Sequence, residues 1–124
     1  MTTQEVATPF IKLLQEGKYD KAQKEFFADD IVSIEPEGVP DRIQKGINAI
    51  LQKGEKFNDT VEQIHTNEVS DAIIAGNFFS CSIKSKMSFK GAPEPMMLEE
   101  IAVYHVSGDK IDREEFFYTN VPME

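Results

Sequence analysis

Hydrophobic residues recur at two different spacings in this sequence, and the change between them near Asp59 limits the folds open to the chain. Before Asp59 they mostly recur at helical spacing, whereas after it they mostly alternate with polar residues. Helices followed by strands indicate an α+β domain, in which the helices pack on one face of an antiparallel sheet. Because 124 residues suit one domain with its own core, residues 1–124 are expected to form a single domain.

Three helices are predicted in the first half of the chain. The first carries an apolar stripe that includes Phe10 and Leu14, and Gly17 ends it. The second is expected over 19–27 and the third over 45–57. Each of these helices has one apolar side, which must be covered by the sheet that follows.

The strands are recognised by alternation between apolar and polar residues. A short strand is predicted over 31–35, and Pro36 ends it because proline cannot donate to a β-ladder. The remaining strands are predicted over 60–69, 72–89, 96–106 and 110–118. Residues 121–124 are expected to form a loose tail.

The charge balance of the chain is acidic. Thirteen lysine and arginine residues stand against 22 aspartate and glutamate residues, and the net charge is −9. Binding nucleic acid through its phosphates needs a basic surface, and so does binding an anionic membrane. We therefore expect no nucleic-acid partner and no membrane partner.

The cysteine and histidine content limits the compartment and the cofactors. Cys81 is the single cysteine and cannot form an internal disulfide, so a reducing cytoplasm fits the chain best. The first residues also lack the basic-then-apolar order of a secretory signal. With two histidines and one cysteine spread along the chain, neither a zinc site nor another cofactor is expected.

Several short segments carry a resemblance to a known superfamily. They are 25–30 (EFFADD), the strand 31–35 with Pro36, 45–50 (KGINAI), 108–111 (GDKI) and 115–118 (EFFY). In this order they resemble the nuclear transport factor 2-like superfamily, which includes ketosteroid isomerases and SnoaL-like polyketide cyclases. The resemblance implies a cone-shaped barrel, with three N-terminal helices in the concave face of a strongly bent, mixed and mostly antiparallel sheet.

The resemblance also implies partners. An apolar cavity at the open end of the cone would hold a small hydrophobic molecule, and the outer face of the sheet would form a homodimer. The residues expected to line the cavity are Phe10, Leu14, Ser33, Phe57, Phe79, Ala102 and Phe116. The alternative is that the aromatic residues fill a closed core.

Glu35 is the first candidate catalytic residue. It stands at the end of the first strand just before proline, in the position that resembles the general base of the ketosteroid isomerases. If the face that it shares with Ser33 is the concave one, Glu35 is a carboxylate in an apolar cavity and can move a proton. The alternative is a carboxylate at the rim that faces water.

The oxyanion donors that the resemblance implies are absent from this sequence. Phe10 stands where the isomerases have a tyrosine, and Ala102 stands where they have a second acid. Alternation on the same strand turns Tyr104 inward together with Ala102, as it does Glu100. On the last strand the same reasoning selects Glu114 and Tyr118, which together with Tyr104 are candidate replacements; the alternative places them in the core or at a solvated mouth.

His65 is the remaining candidate, because a histidine near Glu35 could relay protons at neutral pH. The alternative is an ordinary strand histidine with no role in chemistry. Together these residues predict cofactor-free proton transfer on a hydrophobic carbonyl compound, with Glu35 as the base. The competing prediction is a non-catalytic module that binds a ligand or dimerises.

Overall fold

The computed structural model describes residues 1–119, so the tail predicted over 121–124 lies outside the described residues. The helices are α1 (Thr3–Gln15), α2 (Tyr19–Phe26) and α3 (Ile47–Thr60). The strands are β1 (Phe27–Ile34), β2 (Ile43–Lys45), β3 (Val61–Val69), β4 (Ile73–Ala75), β5 (Phe78–Phe89), β6 (Met96–Ser107) and β7 (Lys110–Phe117).

The strands form one strongly curved, open sheet in the order β2-β1-β7-β6-β5-β3, with β4 paired to β5. Every pairing is antiparallel except that of β1 with β7, which is parallel. This confirms the predicted α+β fold, with three helices and a mixed, mostly antiparallel sheet. The parallel pair brings a strand from the first third of the chain beside the last strand.

Helix α1 begins at a capping box, in which Thr2 and Glu5 each bind the other's backbone N–H through the side chain. Its apolar side buries Phe10, whose ring contacts the rings of Phe26, Phe27, Phe79 and Tyr104. These five residues are called the aromatic cluster below. Helices α1 and α2 supply two of its members, β1 a third, and strands β5 and β6 the others.

Alternation along β5 separates the two faces of the sheet. Phe79, Cys81 and Ile83 are buried, whereas Phe78 and Lys84 on the other face are exposed. Cys81 is thus a small buried residue without a disulfide, and burial raises the pKa of its thiol to about 12. The buried face is the one that the helices cover.

Four element boundaries differ from those predicted. Strand β1 begins directly after α2 at Phe27, since the two aspartates that follow lie in the strand and do not end a helix. The short strand β2 was not predicted, and it includes Lys45, the first residue of the helix predicted over 45–57. Helix α3 instead begins after Gly46, whose φ is 89°. The strand predicted over 72–89 is two strands, because Gly76 and Asn77 form a two-residue hairpin turn.

Candidate functional site

The parallel pairing of β1 with β7 brings together carboxylates that are far apart in sequence. Ser33 lies directly opposite Glu114, and its hydroxyl donates a hydrogen bond to the Glu114 Oε2 at 2.8 Å. Glu35 follows the end of β1, and Tyr118 follows the end of β7. Because side chains two residues apart share a face of a strand, Ser33 and Glu35 both point to the buried side.

Glu35 is held by donors from two elements. The Tyr118 hydroxyl donates to Oε1 at 2.6 Å, and the Lys53 ammonium on α3 donates to Oε2 at 2.9 Å. Only 9% of Glu35 is exposed, so its charge requires such partners. Burial and the hydrogen bond to Glu35 raise the pKa of Tyr118, which keeps this hydroxyl a donor at neutral pH.

Two further carboxyls lie on the same side of the sheet. Glu100 on β6 stands opposite the buried Ile83, and Glu114 on β7 is 3% exposed. Burial raises the pKa of each to about 7, and repulsion from Glu35 adds to the shift in both. We call Glu35, Glu100 and Glu114 the acid cluster.

The acid cluster can both accept and donate protons near neutral pH. A carboxyl whose pKa is about 7 is roughly half protonated there, and Glu100 and Glu114 are of this kind. Glu35, bound to an ammonium and a phenol, has the partners of an ionised carboxylate. Neighbouring acids in different environments are the usual basis for assigning one as base and another as acid.

Tyr104 is the member of the aromatic cluster that lies next to the acid cluster. It stands opposite Glu114 on the neighbouring strand, and its ring stacks on Phe79 with centroids 4.9 Å apart. Burial and the nearby Glu114 raise the pKa of its hydroxyl. The predicted candidates Glu35, Glu114, Tyr104 and Tyr118 are therefore brought to one side of the sheet.

The predicted lining residues fall into two groups. Phe10, Leu14, Phe79 and Ala102 are at most 2% exposed and pack in the core, so in this structure they do not face an open cavity. Ser33 is equally buried and is bound to Glu114. Phe116 is half-buried and lines an open depression of about 510 Å³ beside Glu35 and Tyr118. Phe57 is exposed and packs its ring on Phe89, with centroids 5.8 Å apart.

His65 lies apart from these contacts. Its side chain is exposed, and its Nε2 is 2.6 Å from the hydroxyl of Ser88. The pairing of β3 with β5 shifts register between Ile64 and Thr66, which breaks the alternation that placed His65 in phase with the buried side. In this structure His65 makes no hydrogen bond to the acid cluster, so its role as a relay stays a prediction.

Lys53 was not selected from the sequence, although a signal for it exists. It falls three residues after Ile50 and four before Phe57, so all three share one side of α3. Ile50 is buried and Phe57 contacts Phe89, so this side faces the rest of the domain. A lysine within the apolar side of a helix indicates an acidic partner, and here the partner is Glu35.

Apolar side chains stand exposed at the far end of the buried face. Ile64, Met87 and Met96 lie side by side on β3, β5 and β6, and Ile64 and Met96 are about half exposed. Phe57 of α3 is also exposed. Methionine surfaces of this kind adapt to irregular apolar ligands.

Within residues 1–119 no group of three histidine, cysteine, aspartate or glutamate side chains is arranged to hold a metal ion. No helix in this part of the chain is both long enough and apolar enough to cross a membrane.

Comparisons with known proteins place this geometry in context. A family model described as a SnoaL-like domain matches residues 1–118. A crystal structure from Mesorhizobium loti, provisionally named a SnoaL-like polyketide cyclase with the added words carbohydrate phosphatase, is 30% identical with a TM-score of 0.89. The match covers 95% of this chain and 100% of that one.

Two more distant structures share the fold. A hypothetical protein from Catenulispora acidiphila with a ketosteroid isomerase-like fold, in complex with trimethylamine, is 20% identical with a TM-score of 0.74, covering 96% of this chain and 88% of that one. A provisionally named polyketide cyclase from Pseudomonas putida is 18% identical with a TM-score of 0.70, covering 97% and 93%. None of the curated proteins matches this chain.

Proposed function

Because the chain belongs to the SnoaL-like domain family, we propose that it binds a small hydrophobic carbonyl compound and moves a proton on it without a cofactor. Glu35 is the base. Its carboxylate takes a proton from the carbon beside the carbonyl, the C–H electron pair becomes the C=C bond of an enolate, and the carbonyl pair moves to oxygen. Where the enolate is conjugated with a second C=C bond, return of the proton to the far end of that bond completes an isomerisation. Where the substrate has a second carbonyl, the enolate carbon attacks its carbon, the C=O pair moves to that oxygen, and the oxygen takes up the proton to complete a cyclisation.

The observation that carries this proposal is the composition of the acid cluster. Glu35 has an ammonium and a phenol as partners, whereas Glu100 and Glu114 have a pKa of about 7. One carboxylate is thus equipped to accept a proton while two neighbours can supply one. The exposed apolar residues that include Ile64 and Met96 offer a surface for the body of the substrate.

Hydrogen–deuterium exchange tests the proposal without knowledge of the natural substrate. A panel of apolar ketones that begins with 2-tetralone is incubated with the protein in D₂O, and deuterium on carbon is counted by mass spectrometry. We expect protein-dependent exchange that falls by about 10²–10⁴-fold in Glu35→Gln, since loss of a positioned base costs this much. Tyr118→Phe is expected to lower the rate less, because Lys53 still holds the carboxylate.

Glu25→Gln is the matched control. Glu25 is an exposed glutamate on α2, and its replacement removes the same charge away from the acid cluster and from the depression beside Glu35. Exchange that survives Glu35→Gln would remove Glu35 from the mechanism. Absence of exchange throughout the panel would favour a module that binds without catalysis.

A second candidate function is non-catalytic binding of a small organic cation. The acid cluster has three carboxyls and one lysine ammonium, and the chain as a whole carries a net charge of −9. The Catenulispora acidiphila relative was crystallised with trimethylamine. Calorimetry with trimethylamine hydrochloride, compared with neutral tert-butanol of similar shape, tests this function; cation-selective heat that disappears in Glu100→Gln would favour it.

The proposed oligomer is a homodimer formed through the outer face of the sheet. Ile101 and Phe117 lie directly opposite each other on β6 and β7, and each is about half exposed. Phe78 stands on the same face with its ring against His105. Ile101→Lys should convert a dimer into a monomer in light scattering, whereas Ile43→Lys on the edge strand β2 should not; a monomeric wild type would contradict the dimer.

A further inference from the structure

The site lacks the oxyanion donors that the family resemblance implies. In the structure, a substrate's carbonyl oxygen cannot reach the two positions where those donors would stand. Phe10 and Ala102 occupy those two positions, and both are buried in the core with at most 1% exposed. The aromatic cluster packs around Phe10, so no carbonyl oxygen can approach there. An enolate formed by Glu35 must therefore be stabilised from another direction.

Lys53 supplies a cation in that other direction. Its Nζ is 2.9 Å from the Glu35 Oε2, and its side chain is 39% exposed while that of Glu35 is 11% exposed. An ammonium has three N–H donors, and the bond to Glu35 uses one of them. Among residues 1–119 Lys53 makes no other side-chain hydrogen bond or ion pair, so donors remain for a ligand beside the base.

The spacing of base and cation fits one chemical unit. In an enolisable ketone, the hydrogen to be removed and the carbonyl oxygen belong to the same short H–C–C=O unit, whose ends are separated by roughly a hydrogen-bond length, about 3 Å. Glu35 Oε2 and Lys53 Nζ are separated by a similar distance. A ketone presented edge-on to this pair places its hydrogen at the carboxylate and its oxygen at the ammonium.

We propose that Lys53 is a catalytic residue of this site, which donates a hydrogen bond to the substrate's carbonyl oxygen and holds the enolate that forms when Glu35 takes the proton. This rests on the proposed proton transfer and narrows its substrate class to ketones or esters whose carbonyl oxygen is free to reach α3. The step is balanced within the pair. Glu35 gains the proton and becomes neutral, and the negative charge passes to an oxygen that faces the Lys53 ammonium.

The other charged groups around Lys53 are consistent with this role. Its ammonium binds Glu35, which follows β1, and it acts electrostatically on Glu100 of β6 and Glu114 of β7. The ammonium lowers the pKa of both Glu100 and Glu114, against the larger effect of their burial. Once Glu35 is neutral, the cation is left without a strong anionic partner, which favours an oxyanion next to it.

A phenolate that mimics the enolate tests Lys53 separately from turnover. Glu35→Gln stands for the base after it has taken the proton, and 4-nitrophenol reports its own ionisation by absorbance. We expect Glu35→Gln to bind 4-nitrophenol as the phenolate, and the double variant Glu35→Gln/Lys53→Met to bind it at least about 10-fold more weakly, the loss of one charge-assisted hydrogen bond. The double variant removes both members of the Lys53–Glu35 ion pair, so neither is left without the other.

Two matched variants complete the test. Glu35→Gln/Lys53→Arg keeps the cation and should bind the phenolate within a few-fold of Glu35→Gln. Glu35→Gln/Lys56→Met removes an exposed lysine from the same helix and should bind as Glu35→Gln does. Equal binding with and without Lys53, or no phenolate binding by Glu35→Gln, overturns the role of Lys53. Ketone exchange by the wild type is read independently and decides the proposed function.

Discussion

The buried face of the sheet has two regions, the aromatic cluster and the acid cluster, whose side chains differ in character. The aromatic cluster is buried, with the ring of Phe10 in contact with four other rings. The acid cluster, with Glu35 after β1, Glu100 on β6 and Glu114 on β7, keeps three carboxyls in a largely buried setting. The first region stabilises the domain, whereas the second raises the free energy of its own charges. The carboxyls with raised pKa are thus separated from the packed aromatic rings, although both lie on one curved sheet.

The border between the two regions is narrow. Tyr104 stacks on Phe79 on one side and stands opposite Glu114 on the other. Ser33 is fully buried, and its hydroxyl donates a hydrogen bond to Glu114. The well-packed aromatic cluster therefore forms a rigid wall for the carboxyls, and rigidity of this kind maintains perturbed pKa values.

The largest expected effect is on the aromatic cluster. Phe10→Ala should lower the free energy of unfolding by about 3–5 kcal/mol, because it removes a buried ring and leaves a cavity. Phe10→Leu should cost clearly less. Urea denaturation followed by circular dichroism measures both, and a loss below about 1 kcal/mol for Phe10→Ala would mean that the region is not the rigid wall described.

The next largest effect is expected at Glu114, where a substitution should not destabilise the protein at high pH. The pKa of Glu114 is about 7 in the folded chain against about 4.3 for a free glutamate. Between these values the folded state holds a proton that the unfolded state has lost, so stability falls as pH rises through this window, by up to about 4 kcal/mol. Glu114→Gln should remove this contribution, so that only the similar one from Glu100 remains, and leave the variant at least as stable as the wild type at pH 8.

Urea denaturation from pH 4 to pH 9 checks this behaviour. Glu115→Gln is the control, since its side chain bonds Arg113 outside the acid cluster and should leave the slope unchanged. A wild type whose stability does not fall between pH 5 and pH 8 would contradict a buried, raised Glu114. It would also weaken the contrast between the two regions.

Local patterns in the sequence determined most of the fold. Helical spacing around Phe10 and alternation along the later strands are local, so the α+β class followed from them. The hairpin at Gly76–Asn77 was also readable, since Gly-Asn is a two-residue turn sequence. Ala75 and Phe78 on either side of this turn also fit the apolar–polar alternation of one long strand. The sequence pattern therefore did not show where β4 ends and β5 begins.

The site was predicted only in part, because its contacts are distant in sequence. Alternation placed Glu35 and Glu114 on inner faces, but the hydrogen bond from Tyr118 to Glu35 spans 83 residues and depends on the parallel β1–β7 pair. Lys53 joins the site from α3 by the same kind of long-range contact. A register shift in strand pairing, such as the one next to His65, cannot be recognised from the alternation of apolar and polar residues.

A smaller effect is expected at the border. Ser33→Ala removes the hydrogen bond that lowers the pKa of Glu114, so this pKa should rise further above about 7. Stability should fall by about 1 kcal/mol at pH 5 and by about 2 kcal/mol at pH 8, because a bond to a charged group is worth more. Carbon-13 NMR titration of the Glu114 carboxyl measures the shift, and an unchanged or lower pKa would contradict the contact.

The smallest expected effect concerns His65, the one candidate that lies in neither region. Its hydrogen bond to Ser88 is exposed, so His65→Ala should change the free energy of unfolding by less than about 1 kcal/mol. Ketone exchange should keep its rate and its pH profile, because the exposed His65 side chain binds Ser88 and makes no hydrogen bond to the acid cluster. Ser88→Ala is the matched variant, which removes the same hydrogen bond but keeps the imidazole. If His65→Ala slows exchange while Ser88→Ala does not, the imidazole reaches the acid cluster during turnover. The residues that take part in proton transfer would then extend beyond the acid cluster and its partners.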